Sequence, residues 1–202
     1  MQTILFNNKT IIPSKVICIG RNYVEHIKEL GNETPDQMVI FNKPNSAISD
    51  DLYFYKEDTR FEGEICLLMQ NKQITGIGFG LDLTHANIQN KMKEKSWPWE
   101  RAKGFDGSCV VSDFVPFNGD ITQIRFEMFI NGSLAQFATY DLMIYKPNEM
   151  INEISSFMNI ENGDIIMTGT PKGVTNYKKG DKFEANIHEG DILILNTTWI
   201  AN

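Results

Sequence analysis

Ile124-Arg125-Phe126-Glu127-Met128-Phe129-Ile130-Asn131-Gly132 is the most legible stretch of the chain. Ile124, Phe126, Met128 and Ile130 alternate with Arg125, Glu127 and Phe129, the two-residue period of a strand with one buried face. Asn131-Gly132 supplies the residues of a type I′ turn, so the stretch predicts a β-hairpin. Outward from it, strand-like runs dominate in both directions. Lys15 to Ile19, Phe61 to Met69, Ile74 to Thr84, Asp164 to Met167 and Asp191 to Leu195 all read as strands. The glycines at 76, 78 and 80 point to bulges or close backbone packing. Helical character covers Arg21 to Leu30, stopped at Gly31, and then Ala86 to Lys95. A third helix runs to about Met158, with Asn148 as its cap. Helices scattered among strands without regular alternation predict an α+β, mainly β fold.

Composition narrows the function classes. The 202 residues suit one domain spanning the whole of 1–202. With 26 Asp and Glu against 19 Lys and Arg, the formal charge is -7. Such a chain repels phosphate backbones, and Glu94 interrupts its nearest basic cluster, Lys91, Lys93 and Lys95, so no nucleic acid is expected as a partner. No apolar run approaches the ~18 residues of a membrane span. Met1 to Asn8 lacks a basic segment followed by an apolar one, so no signal peptide is expected. The three cysteines, Cys18, Cys66 and Cys109, are too few and too scattered for a disulfide framework, and they suit a reducing cytoplasm.

Three places carry candidate chemistry. Glu62-Gly63-Glu64 puts two carboxylates on one face of a strand, where like charges repel unless something offsets them. Composition alone yields about three such acidic pairs in a chain of this kind, so the pair also reads as a solvated strand face. Asp82 between Leu81 and Leu83 adds a third carboxylate if the two segments pair. An all-oxygen set suits Mg²⁺, Mn²⁺ or Ca²⁺ and not zinc. His26 and Glu29 lie three apart on a helix, where the carboxylate can orient the imidazole as a general base; an exposed amphipathic helix reads the same way. Thr168-Gly169-Thr170-Pro171-Lys172-Gly173-Val174 is a Gly-rich loop without a Walker A pattern. Its backbone N–H groups can bind a carboxylate, or it is a tight turn. Ser108 lacks a Gly-x-Ser-x-Gly context, and His85 and His188, the latter in a late loop, read as surface histidines.

Taken in order, Gly20-Arg21-Asn22-Tyr23 with His26 and Glu29, Lys43-Pro44-Asn45-Ser46, Glu62-Gly63-Glu64, Asp82-Leu83-Thr84, Lys103-Gly104-Phe105-Asp106 and Thr168 to Val174 resemble the fumarylacetoacetate hydrolase family. The likeness is to its short members: acylpyruvate hydrolases, oxaloacetate decarboxylases or tautomerases, and hydroxyheptadienedioate isomerases. It implies a roll of mixed β-sheets with a few short helices, usually a homodimer. It implies that Glu62, Glu64 and Asp82 bind Mg²⁺ or Mn²⁺, and that His26 and Glu29 form a water-activating dyad on a lid. Lys103 would contact substrate oxygens, and Arg21, Gln89 and Thr170 match substrate contacts. One departure stands out: Ala86-Asn87 replace the family's usual Arg-Asp, and His85 is new.

The chemistry implied is that of a metal-bound enolate of a small 2-oxo acid. Three carboxylates and a divalent ion leave a charge of -1, so Lys103 and Arg21 are the cations that would admit an anionic substrate. Acylpyruvate-type C–C hydrolysis is the leading expectation. Oxaloacetate decarboxylation or tautomerisation and hydroxyheptadienedioate isomerisation are the alternatives. A non-catalytic metal-binding module is the reading from a different class.

Overall fold

Asn131 and Gly132 both adopt positive φ, 50° and 80°, which is the backbone a type I′ turn needs. The hairpin they close forms one side of a four-stranded sheet. In this computed structural model, which describes residues 1–29 and 35–202, the strands in chain order are β1 (Ile4–Phe6), β2 (Lys9–Ile11), β3 (Lys15–Gly20), β4 (Val39–Pro44), β5 (Ile48–Ser49), β6 (Thr59–Arg60), β7 (Gly63–Gln70), β8 (Gln73–Asp82), β9 (Thr84–His85), β10 (Cys109–Val111), β11 (Val115–Pro116), β12 (Ile124–Ile130), β13 (Ser133–Thr139), β14 (Ile165–Met167), β15 (Lys182–Glu189) and β16 (Ile192–Ile200). The helices are α1 (Val24–Glu29), α2 (Ala86–Glu94), α3 (Glu100–Lys103) and α4 (Pro147–Phe157).

The smaller sheet is antiparallel, in the order β13-β12-β15-β16. The larger one runs β4-β3-β14-β7-β8-β10-β5, with β11 also on β8. It is mixed, because β14 is parallel to β3 and β10 to β5 while the other pairs are antiparallel. The two sheets enclose the main core, where Phe61, Phe79, Phe126, Met128 and Phe183 are fully buried and Phe79 meets Phe126 edge-on at 5.0 Å. The other face of the large sheet covers a second core of Val16, Cys18, Cys66, Leu68, Cys109 and Met167. Strand β7, buried on both faces, is therefore apolar almost throughout, whereas β12 alternates because one of its faces is open. This is the expected α+β, strand-rich architecture.

Several local expectations need correction. Helix α1 starts at Val24, not Arg21, because Arg21 takes a left-handed φ of 58°. Its expected end at Leu30 and Gly31 lies outside the described residues. Glu62 precedes β7 instead of lying on it. The expected strand from Ile74 to Thr84 breaks at Leu83, after which β9 pairs with β6. Helix α4 is capped by Lys146, not Asn148: Pro147 opens the helix and the Glu149 carboxylate accepts from the Lys146 N–H at 2.7 Å. His188 lies on β15, not in a loop. The β8 glycines mark close packing, since a Cβ on Gly80 would come within 2.7 Å of Cys66 Sγ and the Met167 methyl. All three cysteines are buried free thiols. No described helix is long and apolar enough to cross a membrane.

Candidate active site

The site forms where β7 begins and β8 ends. The Asp82 N–H donates to the Glu62 carbonyl at 2.9 Å, which sets these two residues opposite one another just outside the ladder. Glu64, two residues on, faces the same way and pairs with Gly80. Glu62, Glu64 and Asp82 thus each offer a carboxylate oxygen, all within 4.8 Å of one another. Glu64 and Asp82 are 1% exposed.

Buried charge must be paired, and two lysines do this. Lys103, from the end of α3, reaches Asp82 Oδ2 at 2.6 Å and Glu62 Oε2 at 3.0 Å. Lys43, wholly buried on β4, reaches Asp82 Oδ1 at 2.8 Å. Lys43 also donates to the Ser108 hydroxyl, the Leu83 carbonyl and the Lys103 carbonyl, so it fixes the backbone that carries the second lysine. Ser108 therefore has a structural partner, in line with its lack of a hydrolase motif. Thr84 Oγ1 donates to Glu62 at 3.0 Å, and the Gly169 N–H donates to Glu64 at 2.6 Å.

These surroundings divide the titrations. Burial, then Asp82 and Glu62, push the Glu64 carboxyl well above the usual carboxylate range. Burial acts the same way on Glu62, but the Lys103 charge, His26 and the hydrogen bonds from Lys103 and Thr84 together outweigh it and hold Glu62 low. Burial disfavours the Lys103 charge, yet Asp82 and Glu62 raise it above an ordinary lysine, so it stays an ammonium and a donor. Three carboxylates and two ammonium groups leave a formal charge of -1. A hard divalent cation fits this donor set and brings the site to +1, which suits an anionic ligand better than the balance expected without Lys43.

His26 on α1 is 5% exposed, with Nδ1 3.2 Å from Glu29 Oε2. It is one of the influences that hold Glu62 low, after burial and Lys103. Glu29 in turn accepts from the Gly173 N–H, at 3.0 and 3.2 Å. The loop from Thr168 to Val174 therefore does bind carboxylates, and they are the protein's own: Gly169 holds Glu64 and Gly173 holds Glu29. Asn22, fully buried, fixes the entry to α1 by donating to the Tyr145 and Thr168 carbonyls and accepting from the Tyr145 N–H.

Of the expected substrate contacts, Thr170 is buried in this loop and accepts from Gln136 Nε2 at 2.8 Å. Gln89 is half-buried on α2, and Arg21 is half-buried just before α1. Burial and then the Arg21 cation lower the Lys93 ammonium, while Glu62 raises it. Among the described hydrogen bonds, none joins Gln89 to the carboxylates. His85 stacks face to face on Phe105 at 3.9 Å and meets Thr59 Oγ1 through Nδ1 at 3.2 Å, so it buttresses the segment after Lys103 instead of standing on the surface. Asn22, Lys43 and Gln136 had no assigned role from sequence. The first two sit in the motifs quoted above, and Gln136 carried no signal at all.

Comparison with known proteins agrees with this geometry. The model of the fumarylacetoacetate (FAA) hydrolase C-terminal domain matches residues 15–198. The chain is 37% identical over 188 residues to the oxaloacetate tautomerase of Escherichia coli (strain K12), covering 84% of this chain and 86% of that one. A fumarylacetoacetate isomerase/hydrolase-type structure from Oleispira antarctica superposes with a TM-score of 0.94 at 31% identity, covering 100% of both chains. The fumarylpyruvate hydrolase of Pseudomonas aeruginosa, solved with Mn²⁺ and pyruvate, shares the fold with a TM-score of 0.87 at 23% identity, over 100% of this chain and 96% of that one. A carboxylate cluster at the mouth of a mixed sheet roll, and matches that run nearly from end to end, lead to one conclusion: the chain belongs to the fumarylacetoacetate hydrolase family of enzymes.

Proposed function

We propose that this enzyme interconverts the enol and keto forms of oxaloacetate, with a divalent cation held by Glu62, Glu64 and Asp82. The convergence of these three carboxylates within 4.8 Å, beside a permanently charged lysine, carries the reading. The E. coli relative named for this activity is more similar in sequence than the fumarylpyruvate hydrolase, so acylpyruvate cleavage moves from first place to second.

When bound, Mg²⁺ or Mn²⁺ supplies Lewis-acid stabilisation of the negative charge that develops on the 2-oxo oxygen. The chain's own residues do the rest. Nδ1 of His26 is engaged by Glu29, so proton transfer falls to Nε2, which takes the C3 proton of the keto form and delivers it to the 2-oxygen to give the enol, and carries it back from that oxygen to C3 in the other direction. The Glu29 carboxylate stabilises the imidazolium formed in between. Lys103 donates hydrogen bonds to substrate oxygens without giving up its proton. Arg21 pairs with a substrate carboxylate, and Gln89 and Thr170 orient it by hydrogen bonds. Residues 1–202 act as one catalytic domain, in a cytoplasmic homodimer.

The His26–Glu29 pair also suits activation of a water, which keeps acylpyruvate hydrolysis as the second reading. Oxaloacetate enol–keto conversion, oxaloacetate decarboxylation and acetylpyruvate cleavage should be assayed side by side, with Mg²⁺ and with EDTA. The expected result is Mg²⁺-dependent tautomerisation as the fastest of the three. Faster acetylpyruvate cleavage replaces this reading with the second.

A further inference from the structure

Strand β13 is an edge strand with an exposed outer face: Leu134 is 59% and Phe137 42% exposed. Between them Gln136 is 2% exposed, and both ends of its amide are bonded. Its Oε1 accepts from the Gly63 N–H at 2.9 Å. Its Nε2 donates to Thr170 Oγ1 at 2.8 Å and to the Pro171 carbonyl at 2.9 Å. A buried amide is costly unless fully bonded, and an apolar side chain would fill the same space more cheaply. The bonds themselves are therefore the reason to look for a role.

Both ends of Gln136 lie on the site. Gly63 is the residue between Glu62 and Glu64. On that side β14 pairs with β7 only from Cys66 to Leu68, so no strand partner remains at Gly63, and Gln136 Oε1 takes the place of a ladder acceptor. At the other end, the amide grips the loop that supplies the Gly173 N–H to Glu29. That loop lies hard against β13: a Cβ on Gly173, at φ +104°, would sit 2.1 Å from the Ala135 carbonyl. Thr170 Oγ1 accepts from Gln136, which leaves its own proton for a different acceptor.

We propose that Gln136 is a positioning residue that couples the Glu62–Glu64 carboxylate pair to the His26–Glu29 dyad through the Thr170–Gly173 loop. The proposal rests on the reading above that the dyad moves the proton. It acts along one path: Gln136 holds the loop, Gly173 holds Glu29, and Glu29 orients His26. It touches no substrate atom.

The test uses Gln136→Met and Gln136→Glu, each alone and combined with Glu29→Ala. The readouts are the kcat and KM of oxaloacetate tautomerisation, Mn²⁺ affinity, and the amide NMR signal of Gly173. Gln136→Met should lower kcat by about 10- to 100-fold with little change in KM, as for residues that orient catalytic groups. In the Glu29→Ala background the same substitution should cost less than about threefold, because groups acting as a unit are not additive. Gln136→Glu keeps the acceptor for Gly63 but loses both donors, so it should hold Mn²⁺ like the wild type and still lose kcat. The Gly173 amide signal should shift in both variants while that of Gly190, in the turn between β15 and β16, stays. Unchanged kcat, or a full penalty in the Glu29→Ala background, overturns the proposal. If the wild type itself fails to turn over oxaloacetate, the functional reading is lost, and the Gly173 signal still decides: an unmoved signal in Gln136→Glu overturns the coupling.

Discussion

At the residue scale, pairing decides the site. Two carboxylates on one strand face say little by themselves; a third from the facing strand and two buried ammonium groups give them a purpose. Glu62→Ala should abolish Mg²⁺ binding in a calorimetric titration, because it removes one of three oxygen donors and leaves Lys103 with Asp82 alone. His26→Ala should keep cation affinity while turnover falls by roughly 10²–10⁴-fold, the usual share of an acid–base group. Intact turnover in that variant would assign the proton transfer to another group. His85 carries the pH dependence that can be worked out with a sign. Burial, then the Lys56 cation, lower its pKa from 6.5 to about 4. A depressed histidine favours the neutral folded form, so its contribution is present above pH 6.5 and is lost as the pH falls toward 4. The thermal midpoint of the wild type should fall across that window, and that of His85→Phe should fall less.

At the element scale, short segments matter more than long strands. The loop after β14 uses two backbone N–H groups on two different carboxylates, and it can do so only because Gly173 has φ +104° and lies against β13. Gly173→Ala should cost about 1–3 kcal/mol from the strained φ alone. The clash with Ala135 adds to that, and the lost grip on Glu29 should lower kcat as well. Denaturant unfolding and steady-state kinetics on one preparation separate the two effects. The loop's Gly content was visible in the sequence; its partners were not, because Glu29 and Glu64 lie more than a hundred residues away from it. Helix α1 teaches the same lesson. The three-residue spacing of His26 and Glu29 was readable, but the Asn22 clamp that aims the helix depends on Tyr145 and Thr168.

At the scale of the whole molecule, two sheets meet around one core, and the candidate site lies at the end of the larger sheet's strands. A cation bound only by the folded protein must stabilise it. At a concentration 100 times its dissociation constant the gain is about 2.7 kcal/mol. For a chain of this size each kcal/mol shifts the melting temperature by roughly 2–4 °C. Mg²⁺ should therefore raise the melting temperature by several degrees and EDTA should reverse the change, as read by calorimetry. No shift in Glu62→Ala would place the effect at the carboxylates.

Local order was written in the chain itself. The alternation from Ile124 to Ile130, the Asn131-Gly132 turn and the apolar run of β7 depend on nearest neighbours and on which face is buried, and one-dimensional patterns record both. The tertiary structure alone decided that Asp82 faces Glu62, that Lys43 lies beneath them, and that Gln136 joins Gly63 to Thr170. Those contacts are made across strands distant in sequence. Their energy comes from excluding water around paired charges and bonded amides, and no local period encodes that.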